Sequence, residues 1–247
     1  MHIAIKDEGP VRLIRMDRPE KKNALTSAMY AEMASAIVEA KTNPSIRCIV
    51  FAGAPGAFCA GNDLADFQRA ATGEGELDGA VVRFLHALAH AEVPLVAAVD
   101  GLAVGVGTTM LLHCDHVTAS ANARFMTPFV KLGLVPEAAS SLLAPELMGH
   151  RRAFSLLVMG RPLDAQAARE CGLVNEIVDS AEVEGTAMKA AQEIAALPHD
   201  AVMASRRLMR RPGELVERID EEVLLYEQFM RSPEARAAFE KFFEKKK

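Results

Sequence analysis

Disulfide frameworks, membrane-spanning runs and a basic surface are all missing from this sequence. Its 247 residues contain four cysteines, Cys48, Cys59, Cys114 and Cys171, scattered through apolar segments without a Cys-x-x-Cys pair. That spacing excludes a disulfide scaffold and suits reduced core thiols better than metal ligands. No stretch approaches the roughly 18 to 20 unbroken apolar residues that a bilayer-spanning helix needs. Basic residues are outnumbered, 28 against 33 acidic, for a net charge of −5. A generally basic nucleic-acid binder is thereby excluded, although a local basic patch could still hold a phosphate. Met1–Arg18 alternates apolar and charged residues and lacks the central apolar run of a signal peptide. The terminal Lys245-Lys246-Lys247 is unlike the Ser-Lys-Leu peroxisomal address. A cytoplasmic protein is expected, with no membrane and no nucleic acid among its partners.

What is present is ordinary globular material: half the residues are hydrophobic and a quarter are charged. The length suits about one or two domains and a core burying on the order of 70 to 75% of the unfolded surface. Ile3–Ile5 and Val11–Met16, flanking Asp7-Glu8-Gly9-Pro10, read as a hairpin. Met29, Met33, Ile37 and Ala40 recur at helical spacing within Thr26–Lys41, with Thr26 as the N-cap. Buried strands are expected at Cys48–Ala52, Leu95–Val99, His116–Ser120 and Val174–Val178. Helices are expected near Val81–His90, Thr108–His113, Ser141–Met148 and Arg151–Met159. Strands alternating with helices imply an α/β chain with largely parallel sheets. From about Ala181 the pattern is helical, and Ser232-Pro233-Glu234 opens the last helix with a capping serine and a first-turn proline. The polarity shift divides the chain into a core, residues 1–190, and a C-terminal helical region, residues 191–247. Ala70–Gly79 is expected to be a mobile loop.

Two glycine-bearing turns follow apolar strands. One is Gly56-Ala57-Phe58-Cys59-Ala60-Gly61-Asn62-Asp63-Leu64; the other is Asp100-Gly101-Leu102-Ala103-Val104-Gly105-Val106-Gly107-Thr108-Thr109. Glycine lets backbone approach a ligand, and a helix N-terminus offers free N–H groups. Neither turn is a phosphate loop, because no Gly-Lys-Ser/Thr follows. Taken singly, each is a strand-to-helix reversal. Asp63 and Asp66 are suited to ordering the first turn through hydrogen bonds. His113-Cys114-Asp115-His116 looks like a cluster, but consecutive side chains diverge, and it reads as a helix end running into a strand.

Taken together and in order, the two turns resemble the crotonase, or enoyl-CoA hydratase/isomerase, superfamily. Arg18-Pro19…Asn23-Ala24-Leu25, Pro94–Gly101, Cys114-Asp115-His116, Ala123-Arg124-Phe125 and Gly172-Leu173-Val174 extend the likeness from about Val11 to Val178. The resemblance implies a spiral core of ββα units, C-terminal helices used in assembly, and a homotrimer or dimer of trimers. It implies an acyl-CoA thioester substrate, with CoA as its carrier portion, and neither cofactor nor metal. The substrate would lie against Ala24, Ala60, Gly61, Asn62, Asp63, Leu64, Gly105 and Val106. The main-chain N–H groups of Asn62 and Val106 would stabilise the thioester enolate. The family usually has glycine at the second donor, so Val106 is expected to tolerate its backbone geometry less readily than glycine would.

The family's hydratases use two glutamates, at the positions of Thr109 and Phe129 here, and neither side chain can take a proton from water at neutral pH. Ala60–Leu64, Thr127-Pro128-Phe129 and Pro136-Glu137-Ala138-Ala139-Ser140-Ser141 are instead similar to the Δ3,Δ2-enoyl-CoA isomerase branch. In that branch a glutamate matching Glu137 shuttles a proton between C2 and C4. Its local alternative is a first-turn glutamate set against a helix dipole. The implied activity is isomerisation of 3-enoyl-CoA to trans-2-enoyl-CoA. The rivals are a 2-enoyl-CoA hydratase and a non-catalytic acyl-CoA-binding or assembly protein. The family's C-terminal region can also supply an aromatic or basic residue to CoA, as Phe239 or the terminal lysines would, without any individual contact being assigned.

Overall fold

The computed structural model describes residues 2–63, 66 and 78–244. Leu64, residues 70–77 of the expected mobile loop and Lys245–Lys247 lie outside the described residues. The hairpin forms as expected from β1 (Ile3–Glu8) and β2 (Val11–Met16), which pair antiparallel. Beyond it come β3 (Cys48–Gly53), β5 (Leu95–Val99), β7 (His116–Ser120) and β10 (Glu176–Val178). These six strands make one sheet in the order β1-β2-β3-β5-β7-β10, parallel from β2 onward.

Because successive side chains point to opposite faces, a strand covered on both sides must be apolar throughout. One face carries Val11, Leu13, Cys48, Val50, Val96 and Ala98, packed with Val183, Ala187, Met188 and Ala191 of helix α7 (Val183–Ala196). The other carries Ile14, Met16, Ile49, Phe51, Leu95 and Ala97, joined to α1 (Ser27–Thr42) and α2 (Gly79–His90) in the larger core. The Thr26 hydroxyl accepts the Met29 N–H, so it caps α1. Residue 190, the expected division, falls inside α7, and that helix lies on the sheet of the core.

A second sheet is built from strands too short to show periodicity. β4 (Ala57–Cys59), β6 (Leu102–Val104), β8 (Arg124–Met126) and β9 (Leu163–Asp164) pair in that order. β4, β6 and β8 run parallel, and each follows a long strand of the first sheet. The repeating unit is therefore a long strand, a short strand and a helical segment. The helical segments include α3 (Val106–Thr109), which continues as 3-10 helix through Met110–His113, α4 (Ser140–Met148), α5 (His150–Leu157) and α6 (Ala165–Glu170).

Three further helices complete the described chain: α8 (His199–Met209), α9 (Pro212–Met230) and α10 (Pro233–Glu244). Ser232 caps α10 by accepting the Ala235 N–H at 3.1 Å. Phe239 is buried within its own chain, as are Leu215, Ile219, Tyr226 and Met230 of α9. No described helix is long and apolar enough to cross a membrane.

Candidate active site

β4 and β6 are parallel neighbours, so the turns that leave them lie side by side. A Cβ on Gly61 would stand 3.0 Å from the Val104 carbonyl oxygen, and one on Gly107 only 2.7 Å from that of Cys59. The two turns touch through backbone, which is why glycine is needed at both places. Gly61 and Gly105 also take positive φ, +86° and +55°. Val106 does not: it is the first residue of α3, and the expectation of an awkward Val106 backbone is corrected here. The unusual dihedral has been moved one residue upstream, onto Gly105.

Two N–H groups of these turns have no hydrogen-bond acceptor among the described residues. Leu25 donates to the Gly61 carbonyl and accepts from Asp63 N–H, both at 2.8 Å. Strand alternation then turns the intervening Asn62 N–H away from Leu25. Val106 opens a helix, so its N–H has no intrahelical acceptor.

The first turn is braced from below. The Arg18 guanidinium donates to Asp63 at 2.6 Å and to the Ala24 carbonyl at 3.1 Å. Asp66 accepts the Ser27 N–H at 3.1 Å. Buried Asn23 donates to the Ala57 carbonyl at 2.7 Å and accepts the Arg18 N–H at 2.8 Å. The buried hydroxyl of Tyr30, on α1, donates to the Asn62 side chain. Ala24, Ala60, Gly61, Asn62, Asp63, Gly105 and Val106 are thus brought to one place.

Glu137 joins them through α3. Thr109, one turn after Val106, donates its hydroxyl hydrogen bond to the Glu137 carboxylate. Glu137 is only 6% exposed. Burial pushes its pKa from 4.5 up to about 8, with the Thr109 hydrogen bond opposing and the Glu222 charge assisting. Burial is the largest of these influences, and the amide groups at the nearby helix entrance are bonded to another carboxylate. α4 starts at Ser140, and the Ala139 and Ser141 N–H groups at its entrance donate to Glu222, at 2.6 and 3.0 Å. Phe129, at the other carboxylate position of the hydratases, is buried, with its ring edge 3.9 Å from where a Gly105 Cβ would stand.

The His113–His116 run disperses as expected. His113 contacts the Ala138 carbonyl, Asp115 accepts from Arg206, and His116 meets Glu176 across β10. Tyr30 and Glu222 were not singled out in the sequence, and His113 was read there only as part of a helix end. Glu222 did leave a signal, because it occupies the apolar stripe Leu215, Ile219, Tyr226, Met230 of α9.

The family described as "Enoyl-CoA hydratase/isomerase" matches residues 6–247. The chain belongs to the enoyl-CoA hydratase/isomerase family. Within that family it is 35% identical to the 1,2-epoxyphenylacetyl-CoA isomerase of Escherichia coli, over 77% of this chain and 75% of that one. It is 37% identical to the enoyl-CoA delta isomerase 2 of Rattus norvegicus, over 85% of this chain and 54% of that longer protein. A crystal structure of an enoyl-CoA hydratase/isomerase from Pseudoalteromonas atlantica superposes with a TM-score of 0.93 at 38% identity, covering 99% of this chain and 98% of the other. The crotonase fold and an acyl-CoA thioester as the substrate class follow from this membership. This chain places two backbone turns of the second sheet beside one buried carboxyl group.

Proposed function

We propose that the chain isomerises 3-enoyl-CoA to trans-2-enoyl-CoA. The observation that carries the reading is the pairing of Glu137 with Thr109. At the place where a hydratase needs one of its two carboxylates stands a hydroxyl that hydrogen-bonds to Glu137, and the other place is filled by buried Phe129. One basic group is left, and a 1,3-proton shift needs one.

The thioester oxygen accepts from the N–H groups of Asn62 and Val106. Each such donor contributes roughly 2.7–4 kcal/mol to an oxyanion. The enolate character so favoured acidifies C2, and ionised Glu137 takes the C2 proton. The same carboxyl group returns it at C4 while the double bond moves to C2–C3, so charge and atoms balance without any group beyond the chain and its substrate. Ala24, Ala60, Gly61, Asp63 and Gly105 flank the thioester, and CoA is held as the carrier portion of the substrate. Assembly as a homotrimer or dimer of trimers is part of the reading. Its support is the apolar surface that the C-terminal helices expose, with Leu208 87%, Met209 85% and Leu224 69% accessible. Light scattering behind size exclusion tests it, and a stable monomer at micromolar concentration refutes it.

The deciding experiment offers the purified protein 3-hexenoyl-CoA and crotonyl-CoA side by side. Turnover of the first with little hydration of the second is expected. Efficient hydration of crotonyl-CoA instead makes it a hydratase, and binding without either reaction makes it an acyl-CoA-binding protein.

A further inference from the structure

Ala138 and Ala139, directly after Glu137, both adopt the left-handed backbone region, with φ of +64° and +53°. Alanine pays for its Cβ there, where glycine would not. Both residues are fully buried. The peptide unit between them is gripped at its two ends. Its C=O, from Ala138, accepts from His113 Nε2 at 2.7 Å, and its N–H, from Ala139, donates to Glu222 Oε2 at 2.6 Å. The other oxygen of Glu222 accepts the Ser141 N–H at 3.0 Å. This peptide plane sets ψ of Ala138 and φ of Ala139, so the two side chains that hold its ends fix the path of the turn directly after Glu137. His113 lies at the end of the helical segment that begins at Val106, and Glu222 lies far along the chain in α9.

We propose that His113 and Glu222 are positioning residues for the reaction: they clamp the Ala138–Ala139 peptide so that Glu137 faces the two backbone donors, and the Glu222 carboxylate governs how readily Glu137 takes up a proton. The inference rests on Glu137 being the base.

The protonation states follow from the contacts. Arg210 Nη2, which can only donate, lies 3.4 Å from His113 Nδ1, so the His113 proton sits on Nε2 and points at Ala138. Burial, with the Arg210 charge, pushes the His113 pKa down to about 3, so it stays neutral and remains a donor at any working pH. Burial pushes the Glu222 pKa upward, opposed by the N–H groups that both its oxygens accept and by the Arg218 charge, each of which favours its ionised form. Glu137 has Thr109 as its hydrogen-bond donor and is more deeply desolvated. The other ionisable groups coupled to it are Tyr30 on α1, Cys59 on β4 and Tyr226 on α9, whose pKa values all lie above their ordinary ones. They are uncharged near neutrality, which leaves Glu222 as the charge that acts on Glu137. Two carboxyl groups in environments this different divide the work, one holding charge and the other exchanging a proton.

The test is a carboxyl ¹³C NMR titration of the full-length free protein, with the Glu137 resonance identified by its loss in Glu137→Gln. Glu222→Gln removes the charge and is expected to lower the Glu137 midpoint by about one pH unit or more, as loss of a near like charge requires. An unchanged midpoint in a folded Glu222→Gln protein overturns the coupling. If that variant does not fold, the wild-type curve decides: a Glu137 midpoint near the ordinary 4.5 shows that no neighbouring charge raises it and overturns the proposal. For the clamp, His113→Gln presents an amide N–H near the position of Nε2 and is expected to keep kcat within roughly threefold, whereas His113→Leu loses at least about tenfold in kcat with little change in KM, the signature of a misplaced base. Wild-type turnover by a folded His113→Leu overturns the clamp. Because the titration needs no substrate, a protein that proves inactive on 3-enoyl-CoA refutes the isomerase reading while leaving the coupling measured.

Discussion

Replacing Glu137 by Gln should stabilise the protein progressively as the pH rises. Glu137 is pushed from 4.5 to about 8 by burial, so folding favours its protonated form. The sign follows from linkage. The stability associated with that proton is fully present below about pH 4.5, where folded and unfolded chains both hold it, and is lost as pH climbs through about 8. Between those limits the unfolded chain ionises and the folded one does not. Wild-type stability should therefore fall, relative to Glu137→Gln, by about 1.4 kcal/mol per pH unit from near 5 to near 8, a total of roughly 4–5 kcal/mol. Gln keeps an acceptor for the Thr109 hydroxyl but brings an amide N–H into the same buried space. That mismatch adds an offset independent of pH, so the slope is the diagnostic quantity and the absolute difference is not. Urea unfolding of both proteins, at one fixed protein concentration and at half-unit pH steps from 5 to 9, measures the slope. A difference that stays flat across this range means that Glu137 ionises in the folded protein as it does in water, and the reasoning from burial fails.

The same group sets the rate profile: kcat/KM for 3-enoyl-CoA should rise nearly tenfold per pH unit below about 8 and level off above it, because only the ionised carboxyl accepts the C2 proton. A profile centred near pH 4.5 would remove desolvation from the account. Asn62→Pro deletes a main-chain donor without breaking the pairing to Leu25 and should lower kcat by roughly a hundredfold or more. Asn62→Ala keeps that donor but leaves the buried Tyr30 hydroxyl without its acceptor, so it should cost about 1–3 kcal/mol of stability while retaining much of the activity. Adding Tyr30→Phe to Asn62→Ala should add little further loss of stability, and a fully additive double variant would show that this hydrogen bond contributes nothing. Ala139→Gly relieves a positive φ and should leave stability unchanged or raise it by up to about 1 kcal/mol in thermal unfolding, whereas a loss above that size would mean that the turn carries no strain.

Much of the architecture was legible because burial on both faces writes itself into composition. β3 and β5 read as strands since every position must be apolar, and α1 announced itself through its spacing and its Thr26 cap. The glycine turns were visible for a similar reason: Gly61 and Gly105 hold dihedrals that other residues avoid. The second sheet was not legible. Strands of three residues carry less than two periods, and pairing alone makes β4 and β6 what they are. Val106 shows the limit of reading one position at a time, since its backbone is ordinary only because Gly105 absorbs the unusual dihedral.

The sequence by itself determined which residues are chemically able to act: a carboxyl at 137, none at 109 or 129, and glycines where two backbones must meet. Which of two opposing influences acts on Glu137 was decided by tertiary structure alone. An apolar neighbourhood raises its proton affinity and a helix N-terminus lowers it, and both are present along this chain. The outcome turns first on burial and then on Glu222, which reaches from α9 to the amide groups of the helix entrance and sets its own charge near Glu137. Helical spacing could place that glutamate on a buried stripe, but only the folded chain says what the stripe faces, because local sequence sets periodicity and tertiary contact sets the electrostatic field.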